Sequence, residues 1–219
     1  MDYYKNRTLT FENSYIIEGY TVAGPKENDG RYKGFFDLAL NDDMFGQNTF
    51  ERAERKMFEH AIDGVIGKAN LENGDVDAVL GGDLLNQNVS MSFSARKQHA
   101  GFLGLYNACA TYAESLIVGS CLVSNGYENV VCVAGSHFST AERQYRYPLE
   151  LGVLRSPVTQ WTATGVGATV LSNQSAVGVP KITRATIGRV VDYGIMDVNN
   201  MGAAMAPSAC DTLVTFFRD

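Results

Sequence analysis

Two short apolar runs, "DVDAVLGG" (75–82) and "NVVCVAGS" (129–136), constrain the fold of this chain more than any other feature. Past Asp77 in the first and Asn129 in the second, neither alternates polar with apolar residues, as a strand with one wet face would, and neither is long enough for a self-burying helix. Continuous runs of this length read as strands covered on both faces. Helical patterns stand between such runs. In "NTFERAERKMFEHAIDGVIGKANL" (48–71), Phe50, Ala53, Met57, Phe58, Ala61, Ile62, Val65, Ile66 and Ala69 recur at helical steps. The opposite face carries Glu51, Arg52, Glu54, Arg55, Glu59 and Lys68, and Asn48 with Glu51 suits an N-cap. A second helix, "ATYAESLIVGSCLVSNG" (110–126), closes on Asn125-Gly126. Strands buried on both faces and joined by helices imply βαβ crossovers and a mainly parallel sheet in an α/β fold.

The rest of the chain fits around that frame. "SYIIEGYTVA" (14–23) reads as a strand, followed by a long loop (24–47) with little regular structure. Residues 83–100 read as a connection, and "FLGLY" (102–106) as an apolar run that enters the second helix. "WTATGVGATVLS" (161–172) and "KITRATIGRVVDYG" (181–194) resemble two strands separated by a Gly-Val-Pro turn. A last helix is expected over 201–219, with Pro207 in its first turn and Ala209, Leu213, Phe216 and Phe217 on its apolar face. The expected order is β-α-β-loop-β-α-β-loop-β-β, then a helix.

Charge and cysteine usage exclude several function classes. A formal charge of −6 and the lack of any Lys/Arg cluster of five disfavour nucleic-acid binding. The apolar runs are too short to span a bilayer, and "MDYYKNRTLTFENS" has no signal core, so an intracellular protein is expected. Cys109, Cys121, Cys132 and Cys210 form no C-x-x-C pair, and His60, His99 and His137 have no ligand spacing. Neither a metal site nor a cofactor is expected. "TGVGAT" (164–169) lacks the third glycine of a phosphate loop.

Cys109, in "GLYNACATYAES" (104–115), is the residue with the most chemical promise. It sits where a strand runs into a helix, and a helix N-terminus favours thiolate. Spacing alone leaves it as a nucleophile, a binding residue or a small buried side chain. Cys121 and Cys132 fall inside helix and strand patterns and read as core. The segment after the fourth strand adds His137, Arg143, Arg146, Arg155 and Gln160. These residues suit carboxylate recognition if the loop reaches Cys109, and a solvated loop with local ion pairs to Glu142 and Glu150 if it does not. Asp83, Asn86 and Gln87 either line the same rim or form a self-satisfied turn.

"FLGLYNACAT", "VVCVAGSH", "AERQYRYPLELG", "TQWTATGVGATVLS" and "VVDYGIMDVNNMGAAMAPSACDTL" together resemble a sporulation-protein family within the thiolase-like superfamily. The resemblance implies a fold of two similar βαβαβ halves. It places residues 1–195 in the N-terminal half, with a mixed, mainly parallel sheet and helices on both faces, and 196–219 at the start of a truncated second half. It implies a non-catalytic protein that binds dipicolinic acid or its calcium chelate and supports uptake into the developing spore. Cys109, His137, Arg146 and Gln160 would line the site. The implied partners are a second copy of the chain and other dipicolinate-uptake proteins, with a cytoplasmic location at the periphery of the spore inner membrane. The alternative is a thiolase- or ketoacyl-synthase-like acyltransferase with Cys109 as the acylated nucleophile. Against that alternative, Ala110 stands where the family pattern often has Ser, and the histidines that complete such sites belong to a second half.

Overall fold

The computed structural model describes residues 6–146, 161–197 and 200–219. In chain order its elements are β1 (Thr8–Thr10), β2 (Tyr15–Ala23), α1 (Pro25–Asn28), β3 (Leu38–Ala39), α2 (Phe50–Lys68), β4 (Ala78–Gly82), α3 (Val89–Ala95) and β5 (Gly101–Gly104). They continue with α4 (Thr111–Ser124), β6 (Asn129–Ser136), β7 (Gly165–Ser172), β8 (Arg184–Thr186) and α5 (Met201–Arg218). The chain forms two compact units, one of residues 13–181 and one of 1–12 with 182–219.

The larger unit is built on a six-stranded sheet in the order β3-β2-β7-β6-β4-β5. β4 lies parallel to both β5 and β6, whereas β7 lies antiparallel to β2 and β6. The sheet is mixed and covered on both faces, as the uninterrupted apolar runs require. Alternation along β6 shows the two sides. Val131 and Val133 join a core with Met57, Phe58, Ile62 and Val65 of α2. Cys132 points the other way, its thiol donating to Ser115 O of α4 at 3.1 Å. Burial pushes the Cys132 thiol up to about 12, so it is an inert core residue. Gly119 lets α4 approach the sheet, since a Cβ there would lie 2.8 Å from Cys132 Sγ and 2.9 Å from Leu171 Cδ1.

Several expectations change. α2 starts after Thr49, not Asn48, and the Thr49 side chain accepts from Arg52 N at 3.3 Å. Glu54, expected on the wet face of α2, is fully buried. Residues 83–100 contain α3, whose seven residues are too few to show a period, and the loop 24–47 contains α1 and the two-residue β3. The expected strand pair around Gly-Val-Pro does not form. Both edges of β7 are occupied by β2 and β6, and the Pro180 carbonyl accepts from Ile16 N. Of 181–194, only Arg184–Thr186 is strand, and it pairs antiparallel with β1 in the second unit. In that unit α5 begins at Met201, which puts Pro207 in its second turn rather than its first. Leu213 and Phe217 of its expected apolar face are exposed.

Candidate functional site

Parallel strands end at one edge of a sheet, so β4, β5 and β6 deliver their following segments to the same place. β4 makes this possible with two glycines. A Cβ on Gly81 would stand 1.8 Å from Val133 O, and one on Gly82 1.9 Å from Leu105 O. No side chain fits at either position, and the three strand ends are drawn together.

The segment after β4 turns through Asn86, Gln87 and Asn88, all at positive φ (40°, 61° and 70°). Non-glycine residues adopt that conformation only when their surroundings impose it. Here Asn88 does so, accepting from Asp83 N at 3.1 Å and donating to Leu105 O at 2.9 Å in the segment after β5. Asp83 is buried and accepts from Leu85 N at 2.8 Å and from Met91 N, in the first turn of α3, at 2.6 Å. Burial pushes its carboxyl up to about 6. Asp83 is thus part of a satisfied turn, and its oxygens face the protein.

After β5 the chain makes a single 3-10 turn, Ala108–Ala110, that leads into α4. Ala108 has φ 45°, a second imposed left-handed position, and its neighbour Cys109 is left exposed. The N-terminus of α4 has no side-chain cap. An exposed thiol beside an uncapped helix start is the arrangement the sequence suggested, and the tight turn at Ala108 is what presents it.

The segment after β6 crosses over the other two. Glu142 N donates to Leu84 O at 2.7 Å, while the Glu142 carboxylate accepts from Gln87 N at 3.3 Å and Tyr106 Oη at 3.1 Å. The Tyr145 ring stands edge-on to Tyr106 at 6.1 Å. A hydrogen bond with Tyr145, together with the Glu142 carboxylate, holds the Tyr106 phenol above its ordinary range. Glu142 and Tyr106 are functional candidates that the sequence reading missed. Glu142 was paired with its neighbouring arginines, although it bonds to residues 36 and 55 positions away.

His137 and Arg146 belong to this segment but turn to structural partners. His137 is fully buried, its ring tilted against that of Phe50 with centroids 5.2 Å apart. Its Nδ1 accepts from Ser139 N at 3.1 Å, which leaves Nε2–H to donate to Asp43 O at 2.8 Å. Both ring nitrogens are engaged. Arg146 Nη2 donates to Ser139 O at 3.2 Å and Ala141 O at 2.8 Å, and its buried Nε has no hydrogen-bond partner among the described residues. Gln160 and Arg155 lie outside the described residues.

Beneath the segment lies Glu54. Its Oε2 accepts from Ser90 Oγ of α3 at 2.7 Å and Thr140 Oγ1 at 3.0 Å, and its Oε1 has no side-chain hydrogen bond among the described residues. Burial pushes the Glu54 carboxyl up to about 8. A neutral acid here links α2, α3 and the segment after β6. Among the described residues no group of three or more His, Cys, Asp and Glu could hold a metal ion. An open hollow of about 500 Å³ in the second unit, lined in part by Arg189, Tyr193, Pro207 and Cys210, includes none of the residues singled out above.

A mixed sheet covered on both faces, with an exposed Cys at the turn from β5 into α4, is the architecture of a thiolase-like α/β fold. Solved structures share this fold. Xanthomonas campestris OleA with bound cerulenin matches with a TM-score of 0.61 at 14% identity, over 94% of this chain and 71% of that one. A fungal type III polyketide synthase matches with a TM-score of 0.57 at 14% identity, over 95% and 74%. The chain belongs to the stage V sporulation protein AD family, whose model matches residues 5–219. It is 41% identical over 215 residues to stage V sporulation protein AD of Bacillus subtilis (strain 168). That alignment covers 97% of this chain and 63% of the relative's length.

Proposed function

We propose that the chain is a non-catalytic binding protein of sporulation, which holds dipicolinic acid or its calcium chelate at the carboxyl edge of β4, β5 and β6 and supports its uptake into the developing spore. One observation carries the reading. Three strand-end segments are hydrogen-bonded to one another through Asn88 and Glu142 beside an uncapped helix N-terminus and an exposed Cys109. A preformed rim with helix-dipole charge suits a rigid aromatic dicarboxylate, and Arg143, exposed in the covering segment, supplies a cation. Against acyl transfer, both nitrogens of His137 are committed to the backbone, so that histidine offers Cys109 no base.

Isothermal titration of the folded chain with pyridine-2,6-dicarboxylate, against benzene-1,3-dicarboxylate, tests the reading. Saturable heat with the pyridine acid, and weaker heat with the benzene acid, is expected. No heat above dilution with either would refute it.

The reading includes a homodimer and work at a membrane surface beside other uptake proteins. β5 is an edge strand with all four residues exposed, Phe102 and Leu103 among them, and such an edge invites pairing with a second copy. Light scattering should give twice the chain mass of 23.9 kDa, and a monomer would refute the pairing. No helix among the described residues is long and apolar enough to cross a membrane, so contact with the bilayer would be made at its surface.

A further inference from the structure

Beneath the rim, Glu54 is an acid with no cation provided for it. It lies in the buried face of α2, and among the described residues it forms no ion pair. Arg55, the next residue, turns to Glu59 at 2.7 Å. α3 brings the Ser90 hydroxyl, the segment after β4 brings Asp83, and the segment after β6 brings Thr140 and the His137 backbone. Asp83 is itself an acid, and both imidazole nitrogens of His137 are engaged elsewhere. Burial among such neighbours keeps a carboxyl neutral, because the charged form loses its water and gains no counter-ion. The hydrogens point the same way. Thr140 Oγ1 lies 3.0 Å from Glu54 Oε2 and 3.1 Å from His137 O, and its one hydrogen cannot serve both. A proton on Glu54 supplies the missing hydrogen.

The two bonds of Glu54 lead to the two knots of the rim. Ser90 follows Asn88 by two residues, and Asn88 ties the segment after β4 to Leu105 O. Thr140 precedes Glu142 by two residues, and Glu142 ties the segment after β6 to Gln87 N and Tyr106 Oη. Ser90, Thr140 and Ala141 are all buried, so both links run through the packed interior.

We propose that Glu54 is the positioning residue of this rim: the ligand binds while Glu54 keeps its proton, and release of that proton parts the covering segment from α2 and α3 and lowers affinity. Neutral, the acid is donor and acceptor at once and closes the network. Ionised, it is a buried charge beside another acid, and admitting water between the elements is the least costly response. Glu54 does not touch the ligand; it acts through Asn88 and Glu142. Burial pushes its carboxyl up to about 8, which sets the pH range where affinity changes.

This inference rests on the binding reading above, and one titration series separates the two. Isothermal titration of the full chain with pyridine-2,6-dicarboxylate is run at about pH 7, 8 and 9, where the ligand's own carboxyls stay ionised. Each pH is measured in two buffers of different ionisation enthalpy, for the wild type, Glu54→Gln and Thr140→Val. If only the protonated form binds, wild-type affinity is about tenfold weaker at pH 9 than at pH 7, with about one proton taken up per ligand at pH 9. Glu54→Gln, which has no proton to lose, should bind equally across the range and take up none. Thr140→Val removes a bond that favours the carboxylate, so its decline should begin at higher pH. Circular dichroism at each pH checks that the chains compared are folded, and the wild-type proton uptake with the Thr140→Val shift decides should Glu54→Gln not fold. No heat from the wild type at any pH refutes the binding reading and this inference with it. Binding with the same affinity at every pH leaves that reading standing and overturns the role of Glu54. A decline that Glu54→Gln shares, or that Thr140→Val leaves at the same pH, also overturns it, because another group then holds the proton.

Discussion

Replacing Glu54 by Gln tests how the loops around Cys109 are held. Glu54 is fully buried, accepts hydrogen bonds from Ser90 and Thr140, and titrates near pH 8 instead of the ordinary 4.5. Its folded-state pKa is raised, so the folded chain binds a proton that the unfolded chain has released. The associated stability is complete below about 4.5, declines as pH rises, and is lost once pH passes about 8. At about 1.36 kcal/mol per pKa unit, the loss is about 3 kcal/mol at pH 7 and about 5 kcal/mol at pH 9. Gln carries no charge and keeps an oxygen for Ser90 and Thr140. Urea denaturation at pH 5, 7 and 9 should show the wild type weakening while Glu54→Gln weakens much less. Asp83, raised to about 6, adds a smaller decline centred between pH 4 and 6 in both proteins. If the wild type and Glu54→Gln follow parallel pH profiles from 5 to 9, Glu54 is ionised in the fold and the reasoning fails.

Two further substitutions probe the backbone that presents the thiol. Ala108→Gly should stabilise the larger unit by about 1 kcal/mol in urea denaturation, because glycine accepts positive φ without strain; destabilisation would mean that the turn is not strained. Gly82→Ala should cost about 3 kcal/mol or more, since its Cβ would lie 1.9 Å from Leu105 O. A soluble Gly82→Ala protein with wild-type stability would show that the strand ends are not packed this closely.

Much of the sheet was legible in the sequence. Runs such as 130–134 are apolar throughout because both faces are covered, and the nine-position apolar stripe of the first long helix needs one large buried face. Elements stabilised by distant partners were not legible. α3 is only seven residues long, and Asp83 accepts from a backbone N–H of its first turn. β8 gains its strand from β1, at the other end of the chain. The site shows the same division. Cys109 was visible because a strand-to-helix junction is a local pattern. His137 showed its position after a strand but not the Asp43 carbonyl that occupies its Nε2, 94 residues away. Glu54 was hidden for a related reason, since a carboxyl among charged neighbours reads as solvated until α3 and Thr140 close over it.

The central claim is that Cys109 marks a binding pocket and does not attack a substrate. Intact-mass measurement after incubation of the chain with acyl-CoA tests it most directly. The account predicts an unmodified chain, with Cys109 still open to iodoacetamide. A stoichiometric acyl adduct that disappears in Cys109→Ala would contradict it.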